Sequence, residues 1–216
     1  MKLFLLFAVL LTGVAGAFGQ SEQSPIVEKD IEYKDWVYKS VSTGTDMNLR
    51  KFTHGKKLVL VAYFAPWCPN WKHDAAFVQA MYEKYKPNGL DVIAVGNYDP
   101  VDAMKKHIDQ YKLTFPAVWE SDVRTTRTTS EHYKYRKSLG DNRGWGSPWY
   151  IFLEADKLEP AGLIITKKAS VVNGELIKEK AEEFIRKKLG MEIEKPSNST
   201  AKSGKKQPIP QTVNQD

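Results

Sequence analysis

The chain has 216 residues, a net charge of +6 and one cysteine. A single cysteine excludes an internal disulfide and a thiolate-rich zinc or iron–sulfur site. The four histidines are dispersed without metal-ligand spacing, and no glycine-rich phosphate loop is present. We therefore expect no metal and no cofactor.

The two ends of the chain predict export and a polar tail. Met1-Lys2 is a short positive segment, Leu3–Leu11 is apolar, and Ala15-Gly16-Ala17 is typical of a cleavage site, which together predict a signal peptide over 1–17. An uncleaved anchor is the alternative, but the apolar stretch is short for a membrane span, so we expect no stable membrane insertion after cleavage. Residues 195–216 are rich in Pro, Ser, Lys and Gln and predict a disordered tail. Export to the periplasm or the extracellular space argues against a nucleic-acid partner.

The part between these ends, 25–190, is long enough for one domain. Leu58–Phe64 and Leu90–Gly96 are continuous apolar runs, as expected for parallel strands buried on both faces. Further strands are predicted around Leu113–Trp119, at Trp149–Leu153 and at Leu163–Thr166, and helices at Pro69–Lys86, Val101–Tyr111 and Glu175–Leu189. Strands that alternate with helices predict an α/β sheet.

The segment Ser121–Arg143 is basic, with six Lys or Arg residues against three acidic ones. It also contains a run of threonines and few residues that could form a core. We expect a solvated loop here, which could border a functional groove.

Cys68 lies between a strand-like run and a helix that begins at Pro69. The free backbone N–H groups and the macrodipole at a helix N-terminus favour a thiolate over a thiol. Because the thiolate is the nucleophile in sulfur chemistry, the position predicts a reactive cysteine. The alternative is that Cys68 is only a small buried hydrophobic side chain.

Asp74 falls on the otherwise apolar stripe of the same helix, three residues after Trp71 and four before Val78. A carboxyl group on a core-facing stripe loses its hydration, which raises its pKa and suits proton transfer near a thiol. The alternative is that Asp74 only complements the helix dipole.

Four stretches in the right order carry a family resemblance: Trp67-Cys68-Pro69-Asn70-Trp71, Met81–Val95, Tyr111–Pro116 and Gly146–Phe152. Over about Asp30–Leu189 the chain resembles the TlpA-like, thioredoxin-like thiol–disulfide oxidoreductases of redoxin type. The resemblance implies an α/β thioredoxin fold with an N-terminal β-hairpin extension and a central mixed sheet flanked by helices.

The resemblance also implies a site. It places Ser147–Pro148 in a loop that normally holds a cis-proline beside the sulfur, where the backbone can pair with a bound peptide. Asp74 lies six positions beyond Cys68, where TlpA-like proteins carry an acidic residue that assists thiol chemistry. The implied catalytic residues are Cys68 and Asp74, and the implied substrate-binding residues are Trp67, Trp71, Ser147, Pro148 and Trp149.

Trp71 stands where the family carries its second, resolving cysteine. A mixed disulfide on Cys68 must then be resolved by an external thiol, so the expected partner is a cysteine-containing protein or a small thiol. The alternative is a redox-inactive binding module with a tryptophan-lined peptide groove. A one-cysteine peroxidase fits less well, because Ala65 stands where peroxiredoxins carry a threonine.

Overall fold

The computed structural model describes residues 22–191; the predicted signal peptide over 1–17 and the predicted tail over 195–216 lie outside them. The strands are β1 Gln23–Ser24, β2 Val27–Lys34, β3 Val37–Ser40, β4 Asp46–Asn48, β5 Leu58–Phe64, β6 Leu90–Gly96, β7 Ala117–Trp119, β8 Trp149–Glu154, β9 Ile164–Val172 and β10 Glu175–Leu176. The helices are α1 Leu49–Thr53, α2 Pro69–Tyr85, α3 Val101–Tyr111, α4 Glu131–Ser138 and α5 Lys178–Lys188.

Eight strands form one mixed sheet in the order β2-β9-β8-β5-β6-β7-β3-β4. β5, β6 and β7 run parallel, and the other neighbours pair antiparallel. β3 and β4 form the predicted N-terminal hairpin at one edge, while β1 and β10 make a separate parallel pair. The predicted mixed sheet flanked by helices is confirmed.

Every side chain of β5 is buried, and successive residues pack into opposite layers. One layer contains buried residues of α2, α3 and α5, and the other contains buried residues of α1 and α4. A strand covered on both faces has no polar side, which is why its sequence is continuously apolar rather than alternating. The predicted bounds of β5 and β6 are confirmed.

The end of the chain differs from the prediction. Helix α5 begins at Lys178 instead of Glu175, because Glu175 and Leu176 pair with Gln23 and Ser24 as a short parallel strand. β9 extends to Val172, well past the predicted end, because it pairs with both β2 and β8. These are pairings between distant parts of the chain, which local periodicity does not report.

The prediction of a solvated loop at Ser121–Arg143 is wrong. The segment contains a short 3-10 helix, Arg124–Thr128, followed by α4. Ser130 caps α4 by accepting a hydrogen bond from the backbone N–H of Tyr133. Several polar side chains of the segment are buried, and they bear directly on the site.

Candidate functional site

Cys68 caps the 17-residue helix α2, directly after the turn that follows β5. Its backbone N–H donates to the carbonyl of Ala65 at 3.0 Å, and Pro69 takes the first helical position. The Cys68 side chain makes no capping bond to the first-turn N–H groups, and the residue is only 6% exposed. The thiol therefore lies at a helix N-terminus, but its hydrogen bond is not to the helix.

That hydrogen bond goes to the loop before β8. The Cys68 Sγ donates to the carbonyl oxygen of Ser147 at 3.1 Å, and the Ser147–Pro148 peptide is cis. The Ser147 hydroxyl accepts from the backbone N–H of Ala65 at 2.9 Å. The prediction of a cis peptide within contact range of Cys68 is confirmed. In this bond the thiol is the donor, so its hydrogen points toward the Ser147 carbonyl oxygen.

Cys68 lines a surface cavity of about 310 Å³. The residues that line it with Cys68 include Trp67, Trp145, Ser147, Arg143 and Glu22. The rings of Trp67 and Trp145 meet edge to face, with centroids 5.1 Å apart, and both side chains are partly exposed. A partner group can therefore approach the wall that holds the thiol.

Trp71 and Trp149 do not line this cavity, which corrects the predicted tryptophan groove. Both are fully buried. The Trp71 ring packs on Phe64, and its Nε1 donates to His107 Nε2 at 2.7 Å. The Trp149 Nε1 donates to Asn173 Oδ1 at 2.8 Å. Trp71 turns into the layer between α2 and the sheet, and Trp149 points to the opposite layer.

Asp74 is buried, with 1% of its surface exposed. Its Oδ2 accepts hydrogen bonds from the Tyr150 hydroxyl at 2.7 Å and the Leu176 backbone N–H at 2.8 Å. Burial raises the pKa of Asp74 to about 6, although these two hydrogen bonds pull it down. The predicted burial and upward pKa shift are confirmed, and the side chain is not an exposed partner of the helix dipole.

Tyr150 donates to this carboxyl group and lies in the same core layer as Cys68, and it was missed by the sequence analysis. Burial raises the pKa of Tyr150 well above its usual value, and negative charge at Asp74 and at a Cys68 thiolate raises it further. Tyr150 pairs with Ala62 in the central strand, so alternation along β8 turns it toward α2. Its position two residues after Pro148 was the available signal.

The segment 121–143 contributes a buried ion pair. Arg136 is fully buried, and its Nη1 lies 3.1 Å from Asp141 Oδ2. Burial alone would raise the pKa of Asp141, but the hydrogen bonds and charge of Arg143 outweigh burial and lower it. The basic residues of this segment are thus partly neutralised inside the fold, and for this reason a solvated loop was the wrong prediction.

The same ion pair holds the cis-proline loop. Arg136 Nη1 also donates to the carbonyl of Arg143 at 3.2 Å, and Arg143 Nη2 donates to the carbonyl of Pro148 at 3.0 Å. A Cβ at Gly146 would overlap the Arg136 guanidinium. The buried charges therefore fix the loop that presents Ser147 to the thiol.

Among residues 22–191, no group of three or more His, Cys, Asp or Glu side chains is arranged to hold a metal ion. In the same range, no helix combines the length and the apolar character needed to cross a membrane.

With this geometry in place, comparison with known proteins is informative. A model of the AhpC/TSA family matches residues 30–173. The chain belongs to the AhpC/TSA family. It is 29% identical over 83 residues to the thiol-disulfide oxidoreductase ResA of Oceanobacillus iheyensis. The aligned part makes up 38% of this chain and 43% of that protein. The chain is 28% identical over 114 residues to ResA of Bacillus cereus, and this alignment makes up 53% of this chain and 62% of that protein. The matches thus span less than two thirds of these relatives.

Solved structures agree on the fold of this AhpC/TSA member. A secreted thiol-disulfide isomerase from Corynebacterium glutamicum superposes with a TM-score of 0.55 at 16% identity, over 76% of this chain and 92% of that one. A protein from Chlorobium tepidum, described as a thiol:disulfide interchange protein DsbE, superposes with a TM-score of 0.53 at 20% identity. The superposition covers 75% of this chain and 98% of that one. The fold is the thioredoxin fold found in thiol–disulfide proteins.

Proposed function

We propose that this protein exchanges thiols and disulfides through its single cysteine, Cys68, by forming mixed disulfides with a cysteine-containing partner. The observation that carries the proposal is the placement of the Cys68 thiol. It lies at the start of α2, on the wall of an open cavity, 3.1 Å from the Ser147 carbonyl oxygen.

Binding of an extended partner would activate the thiol. A backbone N–H of the partner can take over the Ser147 carbonyl, because Ser147 lines the same cavity as Cys68. The thiol then loses the acceptor that holds its proton, and the helix N-terminus favours the thiolate.

The chemical step is a displacement at sulfur. The Cys68 thiolate attacks one sulfur of a partner disulfide, a new S–S bond to Cys68 forms, and the partner's S–S bond breaks. The partner's second sulfur leaves as a thiolate and takes up a proton. An external thiol then attacks the mixed disulfide and frees Cys68, because Trp71 stands where a resolving cysteine would be.

Asp74 and Tyr150 serve as the proton-accepting pair for the thiol. A carboxyl group with a pKa of about 6 is mostly ionised at neutral pH yet retains affinity for a proton. The Tyr150 hydroxyl donates to Asp74 at 2.7 Å, and negative charge at Cys68 is among the causes that raise the pKa of Tyr150.

Export belongs to the same proposal. The predicted signal peptide over 1–17 would send the chain to an oxidising space, where partner disulfides persist. The description "secreted" for the Corynebacterium glutamicum protein of the same fold is consistent with that location.

One observation favours a second function, a redox-inactive module that binds peptides in the cavity. Cys68 is only 6% exposed, and its sulfur acts as a hydrogen-bond donor, as in a structural cysteine. In this case Trp67 and Trp145 hold the peptide and no covalent bond forms.

A single experiment separates the two functions. The folded protein is mixed with 2,2′-dithiodipyridine, whose attack by Cys68 releases one 2-thiopyridone per chain, and the rate is compared with that of the same chain in denaturant. Thiol exchange predicts that the folded protein reacts to completion at a rate within about tenfold of the unfolded chain. A folded protein that reacts only as fast as it unfolds would rule out thiol exchange by the folded chain and leave the binding module as the remaining candidate. Cys68→Ser, which has no thiol, is the blank.

A further inference from the structure

Two arginine–tryptophan pairs border the mouth of the Cys68 cavity. The Arg124 guanidinium lies 5.2 Å from the Trp67 ring centroid, and that of Arg127 lies 5.0 Å from the Trp145 centroid. Both tryptophans line the cavity together with Cys68. We call these four residues, Arg124, Arg127, Trp67 and Trp145, the Arg–Trp collar.

The collar comes from two parts of the chain. The tryptophans flank the site itself, whereas both arginines stand on the 3-10 helix of the basic segment 121–143. An arginine stacked on an aromatic ring keeps its N–H groups free for a ligand, because the stacking uses its flat face. The segment therefore places oriented cations beside the thiol.

The charges at the mouth do not cancel. Arg124 is paired loosely with Asp99, at 3.7 Å, and its side chain is 61% exposed. Arg127 is exposed and has no ion pair within residues 22–191. Arg143, on the cavity wall, is bound to Asp141 and to Glu22. Arg127 therefore contributes a positive charge that no carboxylate among residues 22–191 neutralises by an ion pair.

Two further features indicate what kind of ligand fits. The indole N–H of Trp67 is buried and lacks an acceptor among the described residues, so a bound carbonyl or carboxylate would satisfy it. Glu22 already places a carboxylate in the cavity, 3.1 Å from Arg143. An acidic side chain can therefore occupy this mouth.

We propose that the Arg–Trp collar selects protein partners whose reactive cysteine is flanked by acidic residues. The inference rests on the proposed thiol exchange at Cys68 and names the substrate class for that reaction. Attraction between the collar and the acidic segment raises the rate at which the partner's sulfur reaches Cys68.

The test uses three otherwise identical short peptides whose neighbouring positions hold Glu, Gln or Lys. Each carries one cysteine activated as its 2-thiopyridyl disulfide. The Cys68 thiolate attacks the peptide sulfur, the bond to the pyridyl sulfur breaks, and 2-thiopyridone leaves with its characteristic absorbance. At low ionic strength the Glu peptide should react about tenfold faster than the Lys peptide, and this ratio should fall as salt screens the charges.

Variants assign the effect to the collar. Arg124→Gln combined with Arg127→Gln should bring the Glu-to-Lys rate ratio close to one. Lys51→Gln combined with Lys57→Gln removes the same charge from exposed positions near the start of β5, away from the cavity, and should keep the ratio.

The outcomes separate this inference from the proposed function. If the Gln peptide fails to react with the folded protein, thiol exchange itself is wrong. If all three peptides react equally fast, exchange stands and the collar has no selectivity. A last comparison uses the 2-thiopyridyl disulfide of glutathione, which is small and anionic. If this compound reacts faster than the Gln peptide while the Glu peptide does not, the selection of protein partners is overturned.

Discussion

The Cys68 thiol donates its hydrogen bond to the Ser147 carbonyl oxygen at 3.1 Å, although Cys68 is the N-terminal cap residue of α2. The thiol hydrogen is thus engaged by the loop, and the side chain makes no bond to the first-turn N–H groups of the helix. A partner that takes over the Ser147 carbonyl oxygen would free the thiol of Cys68 from this hydrogen bond.

The first prediction concerns stability against pH. The folded pKa of Asp74, about 6, lies above its ordinary value of 3.8, so the folded protein holds this proton more tightly than the unfolded chain. This group's contribution is therefore most favourable below about pH 4, and the free energy of unfolding falls as pH rises through 6. The loss is on the order of 3 kcal/mol. Chemical denaturation across this range should show a fall that is smaller by about this amount in Asp74→Asn than in the wild type; part of the fall should remain, because burial also raises the pKa of Glu120 to about 7.

The second prediction concerns Tyr150→Phe. The variant loses a hydrogen bond to the ionised carboxyl group, so the pKa of Asp74 should rise further and the loss of stability should extend to higher pH. Tyr85→Phe is the matched control, because Tyr85 is also buried and donates to a carboxylate, Glu182, at 2.6 Å. Equal pH profiles for the two variants would show that Tyr150 does not act on Asp74.

The third prediction compares two glycines on either side of the Arg136 network. Gly146 and Gly140 both have positive φ, so alanine costs roughly 1–2 kcal/mol at each. At Gly146 the new Cβ would also overlap Arg136, whereas at Gly140 it meets nothing within 4 Å. Gly146→Ala should therefore cost about 1–3 kcal/mol more and slow the reaction of Cys68 with 2,2′-dithiodipyridine. Comparable thermal stability and thiol reactivity in both variants would mean that the ion pair does not position the loop.

Prediction from sequence was most accurate where one physical effect dominates. The apolar runs of β5 and β6 and the stripe of α3 depend on burial alone, and their bounds agree with the structure. Asp74 was found because a carboxyl group interrupts an apolar helical stripe. In these cases local periodicity carries all of the relevant information.

It failed where polar groups are buried against one another. Charged residues such as Arg136 and Asp141 are expected from sequence to be solvent-exposed. Both are buried here because the ion pair between them offsets the free-energy cost of removing each charge from water. The prediction for Trp71 failed for a related reason. Its distance from Cys68 along the helix was known, but the space beside Phe64 and His107 that receives its ring depends on α3. Such contacts need the three-dimensional fold.

The fourth prediction follows from that environment. Trp71→Cys places a second thiol three residues after Cys68, on the same side of α2, and should give a protein that reduces insulin-type disulfides with turnover when excess dithiothreitol reduces the disulfide formed between the two thiols in each cycle. It also removes a fully buried ring and the partner of His107, at a cost of about 3–5 kcal/mol. Trp71→Ser creates nearly the same cavity without the thiol. If both variants are folded and equally inactive, the cavity does not admit a protein disulfide.

The most direct test of the account uses an ordinary, unactivated disulfide. The folded protein is incubated with a cyclic peptide closed by one disulfide, and the products are weighed intact and mapped. The account predicts that Cys68 gains the whole mass of the peptide. Two equivalents of reduced glutathione should then release the peptide as a dithiol, with oxidised glutathione as the second product. Absence of the adduct on the folded chain, when the same chain in denaturant forms it, would contradict thiol exchange at Cys68.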